Sequence, residues 1–495
     1  MTTVLPKQNA MVLDAPVDQV KSTKPQPKCM DVHLGNSARV RKPNIFKLFY
    51  KFSKIPGVYQ LSEGLPNKKF FPVAEVNAST VNFDKYTKHN EAHDSIVAKG
   101  ELIESTLQYG QAGGHPELAE WIQNYVDRSF DCPYEGGFAT IMSSGNTDAI
   151  NKIWQVFSNE WRPELPVELR EGIITEEFTY SLAAECARVR GLNISSVAMD
   201  DQGVLPEALE DLLANWDFSK GKRPHLMYTI SIGQNPTGAT CGIERRKQIY
   251  KICQKYDIII VEDEPYWFLQ FDGVFENCYL KIDVDGRVIR LDSFSKNFAP
   301  GSRLGYIIAQ PKIIRHLWNI AEEATQQPSG FSQMIMLETL KKWGFDGWNS
   351  WLGGLRNEYQ DRRDLMVDAL TPYKYINDNL VLDFKKPAAG MFVWVKVQYD
   401  NHPLADKFSH LEMSRAFWTM NATNSQPVLV TPGYFFAPSL VDAEHMAPYI
   451  RLSYANAEKT NISKWTDGFG RNTIDFWNIT DPEQMRQLAA DFPEA

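Results

Sequence analysis

The 495-residue sequence has no excess of basic residues, no long apolar run and no closely spaced pair of cysteines. Its formal net charge is −9, so the chain offers no basic surface of the kind that binds nucleic acid or an anionic membrane. Its strongest apolar run, "IIIV" at 258–261, is far shorter than the roughly 18 residues of a membrane helix and indicates a buried strand. These absences predict a soluble protein with neither nucleic acid nor membrane as a partner.

The cysteines and the start of the chain indicate a reducing compartment. The six cysteines include no CxxC pair, a pattern that suits reduced thiols better than a disulfide framework. The first residues, "MTTVLPKQNAMVLDAP", lack the apolar segment of a secretory signal, and Asp14 and Asp18 argue against a transit peptide. The sequence therefore predicts a cytoplasmic protein.

The chain divides into segments of different composition. Residues 1–30 hold few large apolar side chains and predict a flexible leader. From about residue 100, β-prone runs such as "FATIM", "GIITEE" and "DIIIVED" alternate with amphipathic stretches, which predicts a mostly parallel sheet covered by helices. The predicted organisation is a leader at 1–30, an N-terminal arm and part of the small domain at 31–99, a large α/β domain at 100–340, and a connecting helix with a smaller α+β domain at 341–495.

A turn between a β-prone run and a helix is the first candidate binding site. In "TIMSSGNTDAINKIWQVF" at 140–157, the apolar residues of the second half fall on one helix face. A strand, a glycine turn and a helix N-terminus together aim backbone N–H groups at one point, which suits a phosphate. An ordinary βα connection capped by Asn146 or Thr147 is the alternative, and this motif alone favours it.

Two further motifs follow predicted strands. "GQNPTG" at 233–238 and "VEDEPY" at 261–266 each stand at the C-terminal end of a strand, on the sheet edge where doubly wound folds bind ligands. Each is weak alone, because the first is a good turn sequence and acidic strand ends are common.

The motif "DSFSKNFAPGSR" at 292–303 places one lysine, Lys296, among small and hydroxylic residues, with Arg303 seven positions later. A hydroxyl-rich loop, a lysine, an arginine and a strand-end carboxylate are the parts needed to hold pyridoxal 5′-phosphate. The lysine forms a Schiff base with the aldehyde, the arginine and serines bind the phosphate, and the carboxylate pairs with the pyridine nitrogen.

On these motifs the chain resembles the class I and II aminotransferases, which have the type I fold of pyridoxal-phosphate-dependent transferases. Within that group it resembles the fungal aromatic-amino-acid aminotransferases and their relatives acting on kynurenine and 2-aminoadipate. The resemblance extends from about residue 31 to 495 and includes "LQYGQAGGHPELAEWI", "VIRLDSFSKNFAPGSRLGY" and "PYIRLSYAN". It implies an α/β fold with a mostly parallel sheet in a large cofactor-binding domain and a smaller α+β domain.

The resemblance also implies roles for the residues that match the family's cofactor site. Lys296 would be the Schiff-base lysine, Asp263 the partner of the pyridine nitrogen, and Tyr266 a hydrogen-bond donor to the cofactor's phenolic oxygen. The other implied cofactor contacts are the phosphate turn of Gly145, Asn146 and Thr147, its completing residues Ser293, Ser295 and Arg303, the stacking ring of Tyr180, and Tyr109, which would cross to the phosphate of the other subunit.

The implied substrate contacts come from three places in the chain. Arg451, in "IRLSY", would bind the substrate α-carboxylate as a bidentate pair, Asn235 would contact that carboxylate and the cofactor, and Gly64 would lie beside the substrate. Glu63 stands where relatives usually have a second small residue, which bears on substrate choice. Asn146 and Thr147 also depart from the Ser or Gln that the family often carries.

The implied function is the transfer of an amino group from Phe, Tyr or Trp to a 2-oxo acid such as 2-oxoglutarate, by a ping-pong mechanism in a homodimer with composite active sites. The alternatives are a 2-aminoadipate or kynurenine aminotransferase, and an elimination or decarboxylation at the same site. A non-catalytic cofactor-binding sensor would need a fused DNA-binding domain, which the leader is too short to supply. No metal site is expected, since His89 and His93 lack a third ligand and an exposed polar helix is expected there.

Overall fold

The computed structural model describes residues 23–43, 55–58, 61, 64–438 and 443–493. Glu63 lies outside these residues. Within them the helices are α1 (Asn36–Val40), α2 (Lys85–Lys88), α3 (Glu101–Leu107), α4 (Pro116–Ser129), α5 (Asn146–Phe157), α6 (Ser181–Arg188), α7 (Pro206–Ala214), α8 (Ile243–Tyr256), α9 (Pro311–Glu323), α10 (Gly330–Leu370), α11 (His410–Thr423), α12 (Ala443–Met446), α13 (Ile462–Trp477) and α14 (Pro482–Ala490).

The strands of the described residues form a seven-stranded sheet, a four-stranded sheet and three two-stranded pairs. They are β1 (Glu75–Val81), β2 (His93–Lys99), β3 (Ala139–Ser143), β4 (Gly172–Glu176), β5 (Asn193–Val197), β6 (Met199–Asp200), β7 (Gly203–Val204), β8 (Leu226–Thr229), β9 (Ile259–Asp263), β10 (Val288–Ser293), β11 (Gly305–Ala309), β12 (Tyr375–Ile376), β13 (Asn379–Leu380), β14 (Leu382–Phe384), β15 (Phe392–Val397), β16 (Thr431–Pro432) and β17 (Tyr449–Ser453).

The seven-stranded sheet is the centre of the large domain. Its order is β3-β11-β10-β9-β8-β4-β5, and only the two pairs that include β11 are antiparallel. Strands β4, β8 and β9 are buried along their whole length, as expected of parallel strands whose crossover helices cover both faces. The mostly parallel sheet predicted from the sequence is confirmed.

The helix predicted after the glycine turn is α5. Its apolar positions Ile150, Ile153, Trp154 and Phe157 are all fully buried in the main hydrophobic core. Each fully buried side chain of this size contributes about 1.5–3 kcal/mol relative to exposure, so the apolar face anchors the helix and hence the turn that precedes it.

The smaller sheet has the order β14-β15-β17-β16, and all its pairs are antiparallel. Helix α11 packs against α13 and α14 beside it, which gives the predicted α+β arrangement. Helix α10 precedes this sheet in the chain and contains a kink at Gly344, whose φ of 62° interrupts the helical backbone.

The hairpin of β1 and β2 packs against α10. Trp343 Nε1 donates a hydrogen bond to Asp94 Oδ2 at 3.2 Å, and the rings of Tyr86 and Trp351 lie 5.4 Å apart.

The prediction of an exposed polar helix across His89 and His93 is wrong. His89 ends α2 in a left-handed conformation with φ 52°, and His93 begins β2. Among the described residues no group of three or more His, Cys, Asp or Glu side chains is placed to hold a metal ion.

Residues 23–30, the described part of the predicted leader, contact the large domain. Lys24 Nζ pairs with Asp131 Oδ1 at 2.9 Å, and Gln310 Nε2 donates to Lys28 O at 3.0 Å. The backbone N–H of Lys28 donates to Asp285 O at 2.7 Å, so this segment is held by a main-chain hydrogen bond in addition to ion pairs.

In the part of the chain that the structure describes, no helix is both long and apolar enough to cross a bilayer.

Candidate active site

The candidate site lies where several strands of the large sheet end on the same edge. β3 ends at Ser143 and leads into α5, β9 ends at Asp263, and β10 ends at Ser293, just before Lys296. Because these strands share one direction in the sheet, their carboxyl ends meet at one edge. The motifs that are far apart in the sequence are therefore neighbours in the fold.

The turn between β3 and α5 forms an anion cradle with Arg303. Gly145 has a φ of 90°, and a Cβ there would lie 2.3 Å from Arg303 Nη2, so only glycine fits. Arg303 Nη2 donates to Ser144 O at 2.9 Å, and Nη1 donates to Ser295 Oγ at 3.4 Å. Within the described residues α5 has no side-chain cap, which leaves its first backbone N–H groups to a ligand. The cradle combines a helix N-terminus, a guanidinium and a hydroxyl, which suits a phosphate.

Asp263 is buried at the end of β9 and accepts two side-chain hydrogen bonds. Tyr228 OH donates to Oδ2 at 2.7 Å, and Asn146 Nδ2 donates to Oδ1 at 2.6 Å. Burial raises the pKa of Asp263 to about 6, although both hydrogen bonds act in the opposite direction. A carboxylate in this setting is stabilised by a cationic partner such as a protonated ring nitrogen. Tyr228 could not be recognised from the sequence, because a tyrosine inside a buried strand is typical of a core.

Lys296 lies in the loop after β10. Ser293 Oγ accepts a hydrogen bond from Ser295 N at 3.1 Å, which shapes the loop just before the lysine. Burial, and then the positive charges of Arg451 and Arg303, lower the pKa of the Lys296 amine. A lowered pKa increases the fraction of neutral amine, the form that attacks a carbonyl carbon or accepts a proton.

Arg451 reaches the site from β17 of the small domain. Its Nη1 donates to Asn235 Oδ1 at 2.7 Å, and its guanidinium carbon lies 4.4 Å from the ring centre of Phe392 and 4.7 Å from that of Phe436. Its buried Nε has no hydrogen-bond partner among the described residues. Desolvation by burial lowers the pKa of Arg451. A partly dehydrated guanidinium between two rings, with an N–H to spare, suits a carboxylate.

The loop that carries Asn235 is held from beneath by Gln234. Gln234 Nε2 donates to Glu176 Oε2 at 2.8 Å and to Phe178 O at 2.6 Å, and its Oε1 accepts from Thr237 N at 2.8 Å. Burial raises the pKa of Glu176 to about 7. The sequence analysis identified neither Gln234 nor Glu176, since their contact joins positions 58 residues apart.

The remaining candidate residues occupy different environments. Tyr180 is half-buried, with its OH 3.5 Å from Thr147 Oγ1. Tyr266 is buried, its ring meets that of Phe392 edge-on, and burial followed by the charge of Asp263 raises its pKa. Tyr109 is 66% exposed, and Gly64 is also exposed. Of the predicted site residues that the structure describes, Lys296 and Arg303 are exposed as well.

The arrangement fits pyridoxal 5′-phosphate. The absence of a Cβ at Gly145 lets the guanidinium of Arg303 approach the turn closely, as a shared phosphate site requires, and Asn146 Oδ1 beside it is buried without a hydrogen-bond partner among the described residues. The same edge supplies the buried carboxylate of Asp263 for a ring nitrogen and the Lys296 amine for an aldehyde. Each chemical group of the cofactor therefore has a matching group in the protein.

Comparison with known proteins gives one consistent answer. The family model described as aminotransferase class I and II matches residues 82–467. An aromatic amino acid aminotransferase of Schizosaccharomyces pombe is 35% identical over 88% of this chain and 95% of its own length. An L-tyrosine:2-oxoglutarate aminotransferase of Tapinella panuoides is 33% identical over 77% of this chain and 76% of its own. The crystal structure of aminotransferase Aro8 from Candida albicans superposes with a TM-score of 0.81 at 32% identity, over 92% of this chain and all of that one.

Proposed function

Because the chain belongs to the class I and II aminotransferases, we propose that it transfers the amino group of an aromatic amino acid, Phe, Tyr or Trp, to a 2-oxo acid such as 2-oxoglutarate. The reaction class rests on one observation above the others. Besides burial, the charges of Arg451 and Arg303 both lower the pKa of the Lys296 amine, which supports a lysine that serves the carboxylate site and the phosphate cradle together. The aromatic donor is supported by the names of the relatives that match most of the chain.

The cofactor is pyridoxal 5′-phosphate, which when bound supplies an electron sink for the bond broken at the substrate Cα. In our proposal the cradle of Gly145, Asn146 and Thr147 holds the phosphate, with Arg303, Ser293 and Ser295 completing it. Tyr180 would stack on the ring and Tyr266 would donate to the phenolic oxygen. Asp263 keeps the ring nitrogen protonated, because its buried carboxylate is stabilised by a positive charge beside it.

Lys296 and Arg451 handle the substrate. Arg451 binds the α-carboxylate through its free N–H groups, while Asn235 keeps the guanidinium oriented. The neutral Lys296 amine accepts the proton from the donor's Cα in the first half-reaction and delivers a proton to the acceptor's Cα in the second. Donor and acceptor acids both carry an α-carboxylate, so they use Arg451 in turn, and the donor leaves as its 2-oxo acid before the acceptor binds.

A donor and acceptor panel tests the proposal. With 2-oxoglutarate as acceptor, the kcat/KM values for Phe, Tyr and Trp should exceed the values for kynurenine and 2-aminoadipate. Product analysis should show the 2-oxo acid derived from each amino donor. A preference of more than tenfold for kynurenine or 2-aminoadipate would move the assignment to those substrates. Release of ammonia or carbon dioxide in place of an amino-acid product would indicate elimination or decarboxylation, and cofactor binding without turnover would indicate a sensor.

We further propose a cytoplasmic homodimer whose active sites combine both subunits. The exposed ring of Tyr109 supports this, since a tyrosine that serves the partner's phosphate must point away from its own chain. Tyr109→Phe should weaken cofactor retention by a few fold, the worth of about one hydrogen bond, and leave KM for amino acids unchanged. Sedimentation that shows a fully active monomer would contradict the composite site.

A further inference from the structure

A small cavity lies beneath the loop of Lys296, among residues that the proposed reaction does not use. Its polar lining consists of Glu264, just after β9, Arg290 and Asp292 on β10, Trp267, Asn297, and the tyrosines Tyr125 and Tyr306. Asn297 directly follows Lys296, and Glu264 directly follows Asp263. The cavity thus lies under both chemical centres of the cofactor site, although neither of those two residues lines it.

The volume of this cavity decides what it can hold. It measures about 20 Å³. A buried water needs roughly 10–15 Å³, so the space admits a water molecule and excludes any amino acid, 2-oxo acid or buffer anion.

Four buried polar atoms on the lining residues have no hydrogen-bond partner among the described residues. Two are donors, Trp267 Nε1 and Arg290 Nη1, and two are acceptors, Glu264 Oε2 and Asn297 Oδ1. Glu264 and Arg290 are at most 2% exposed. Arg290 Nη1 lies 3.8 Å from Glu262 Oε2, which is an ion-pair distance but too long for a hydrogen bond.

The protonation of Glu264 does not alter this balance of donors and acceptors. Burial, followed by the charge of Glu262, raises the pKa of Glu264 to about 8. Ser231 Oγ lies within hydrogen-bonding distance of the Oε1 atoms of both glutamates. When Glu264 carries its proton on Oε1, that O–H donates to Ser231 Oγ, Ser231 donates to Glu262 Oε1, and Glu264 Oε2 remains an acceptor.

We infer that this cavity binds one ordered water, which accepts hydrogen bonds from Trp267 and Arg290 and donates to Glu264 and Asn297. A cation would face the two N–H donors, and an anion would face the two acceptor oxygens. Water satisfies all four atoms, each of which would otherwise be buried without a hydrogen bond at a cost in stability.

The water links the loop of Lys296 to the strand end of Asp263. The main-chain oxygen of Asn297 already accepts a hydrogen bond from Trp351 Nε1 at 2.7 Å. With the water on its side chain, Asn297 is held at two points, and it acts as a positioning residue for Lys296. This consequence rests on the proposed role of Lys296, whereas the water site itself rests only on the cavity.

A crystal structure of the holoenzyme at about 1.6 Å or better tests the site without reference to activity. We expect one water peak within 3.2 Å of all four atoms, the outer limit for these hydrogen bonds. A cavity without density, or a peak that contacts fewer than three of the four atoms, would overturn the inference.

Trp267→Phe tests the link to Lys296, because it removes one donor and keeps an aromatic ring. We expect kcat to fall by about threefold, the worth of part of one hydrogen bond, with KM for donor and acceptor unchanged and the water peak weakened or lost. Trp477→Phe is the matched control, since Trp477 Nε1 is also buried and unpartnered among the described residues but lies in the small domain. Equal kcat values for the two variants, or a change confined to thermal stability, would remove the positioning role.

Discussion

The two halves of the candidate site are held by different kinds of interaction. On the large-domain side, Asp263 accepts directed hydrogen bonds from Tyr228 and Asn146. On the small-domain side, Arg451 makes one hydrogen bond to Asn235 and otherwise lies between aromatic faces. A hydrogen bond weakens steeply when its donor–hydrogen–acceptor angle departs from linearity. The attraction between a guanidinium and an aromatic ring tolerates a wider range of positions over the ring face. The cofactor half is thus preorganised, and the substrate half can adapt to acids of different size.

The largest effect is expected where both halves converge, at Lys296. Lys296→Ala should lower kcat by at least about 10³-fold, since general-base catalysis alone contributes roughly 10²–10⁴-fold. Borohydride reduction of the wild-type holoenzyme followed by peptide mapping should locate the cofactor on Lys296. Lys312→Ala, at an exposed position on α9, is the control and should keep full activity. Cofactor found on any other lysine would contradict the site assignment.

Asp263→Asn tests the rigid half. We expect kcat to fall by about 10²-fold, or roughly 3 kcal/mol, because a neutral amide gives the ring nitrogen no negative partner when the electrons arrive. Steady-state kinetics with saturating cofactor measure this loss. Near-normal kcat with bound cofactor would exclude Asp263 as the partner of the ring nitrogen.

The same substitution has a pH-dependent effect on the stability of the apo-protein. The folded pKa of Asp263, about 6, lies above its value of about 3.9 in an unfolded chain, so ionising it in the fold costs up to about 3 kcal/mol. The cost is absent below pH 4, grows between pH 4 and 6, and is complete above pH 6. Asp263→Asn should therefore raise the free energy of unfolding at pH 7.5 and leave it nearly unchanged at pH 4, as measured by denaturant titration.

Asp272→Asn is the control of opposite sign. A hydrogen bond from Arg363 lowers the pKa of Asp272, so its ionised form stabilises the fold. That variant should lose stability above pH 4 and match the wild type at lower pH. A gain in stability at pH 7.5 for both variants would show that the Asp263 effect does not come from its buried charge.

Arg451→Ala tests the adaptable half. We expect kcat/KM to fall more than tenfold, at least ~1.4 kcal/mol, for donor and acceptor alike, because each brings a carboxylate to the same guanidinium. Arg451→Lys should recover only part of the loss, since an ammonium lacks the planar fork. A loss confined to the amino donor would mean that the two acids bind at different places.

The smallest effect concerns the aromatic faces themselves. Phe436→Leu removes one ring beside Arg451, and a cation–π contact of about 0.5–1 kcal/mol predicts a two- to fivefold rise in KM for both acids with kcat retained. Phe435→Leu changes the adjacent, half-exposed ring and is the matched control. Identical KM values in the two variants would show that the ring of Phe436 does not orient the guanidinium.

The sequence was sufficient to predict the framework and the residues within continuous motifs. Gly145 and Asp263 could be proposed as site residues because each follows a β-prone run that must end there, and Lys296 because it stands among small and hydroxylic residues. Tyr228 and Phe436 were not, since their contacts with Asp263 and Arg451 depend on side-chain directions that only the packed sheets define. At His89 the prediction from the sequence was wrong. The i, i+4 spacing of His89 and His93 does not reveal that His89 is itself left-handed and ends α2.

The place of β3 in the large sheet has a consequence for synthesis of the chain. β3 pairs with β11, whose residues are translated roughly 160 positions later, and at about 5–20 residues per second that leaves roughly 10–30 s before the partner strand exists. During that interval on the ribosome, β3 and the apolar face of α5 have emerged while the neighbour that will cover the strand edge has not. The nascent chain therefore presents an open strand edge for longer than most small domains take to fold, and such an edge is a binding site for a chaperone.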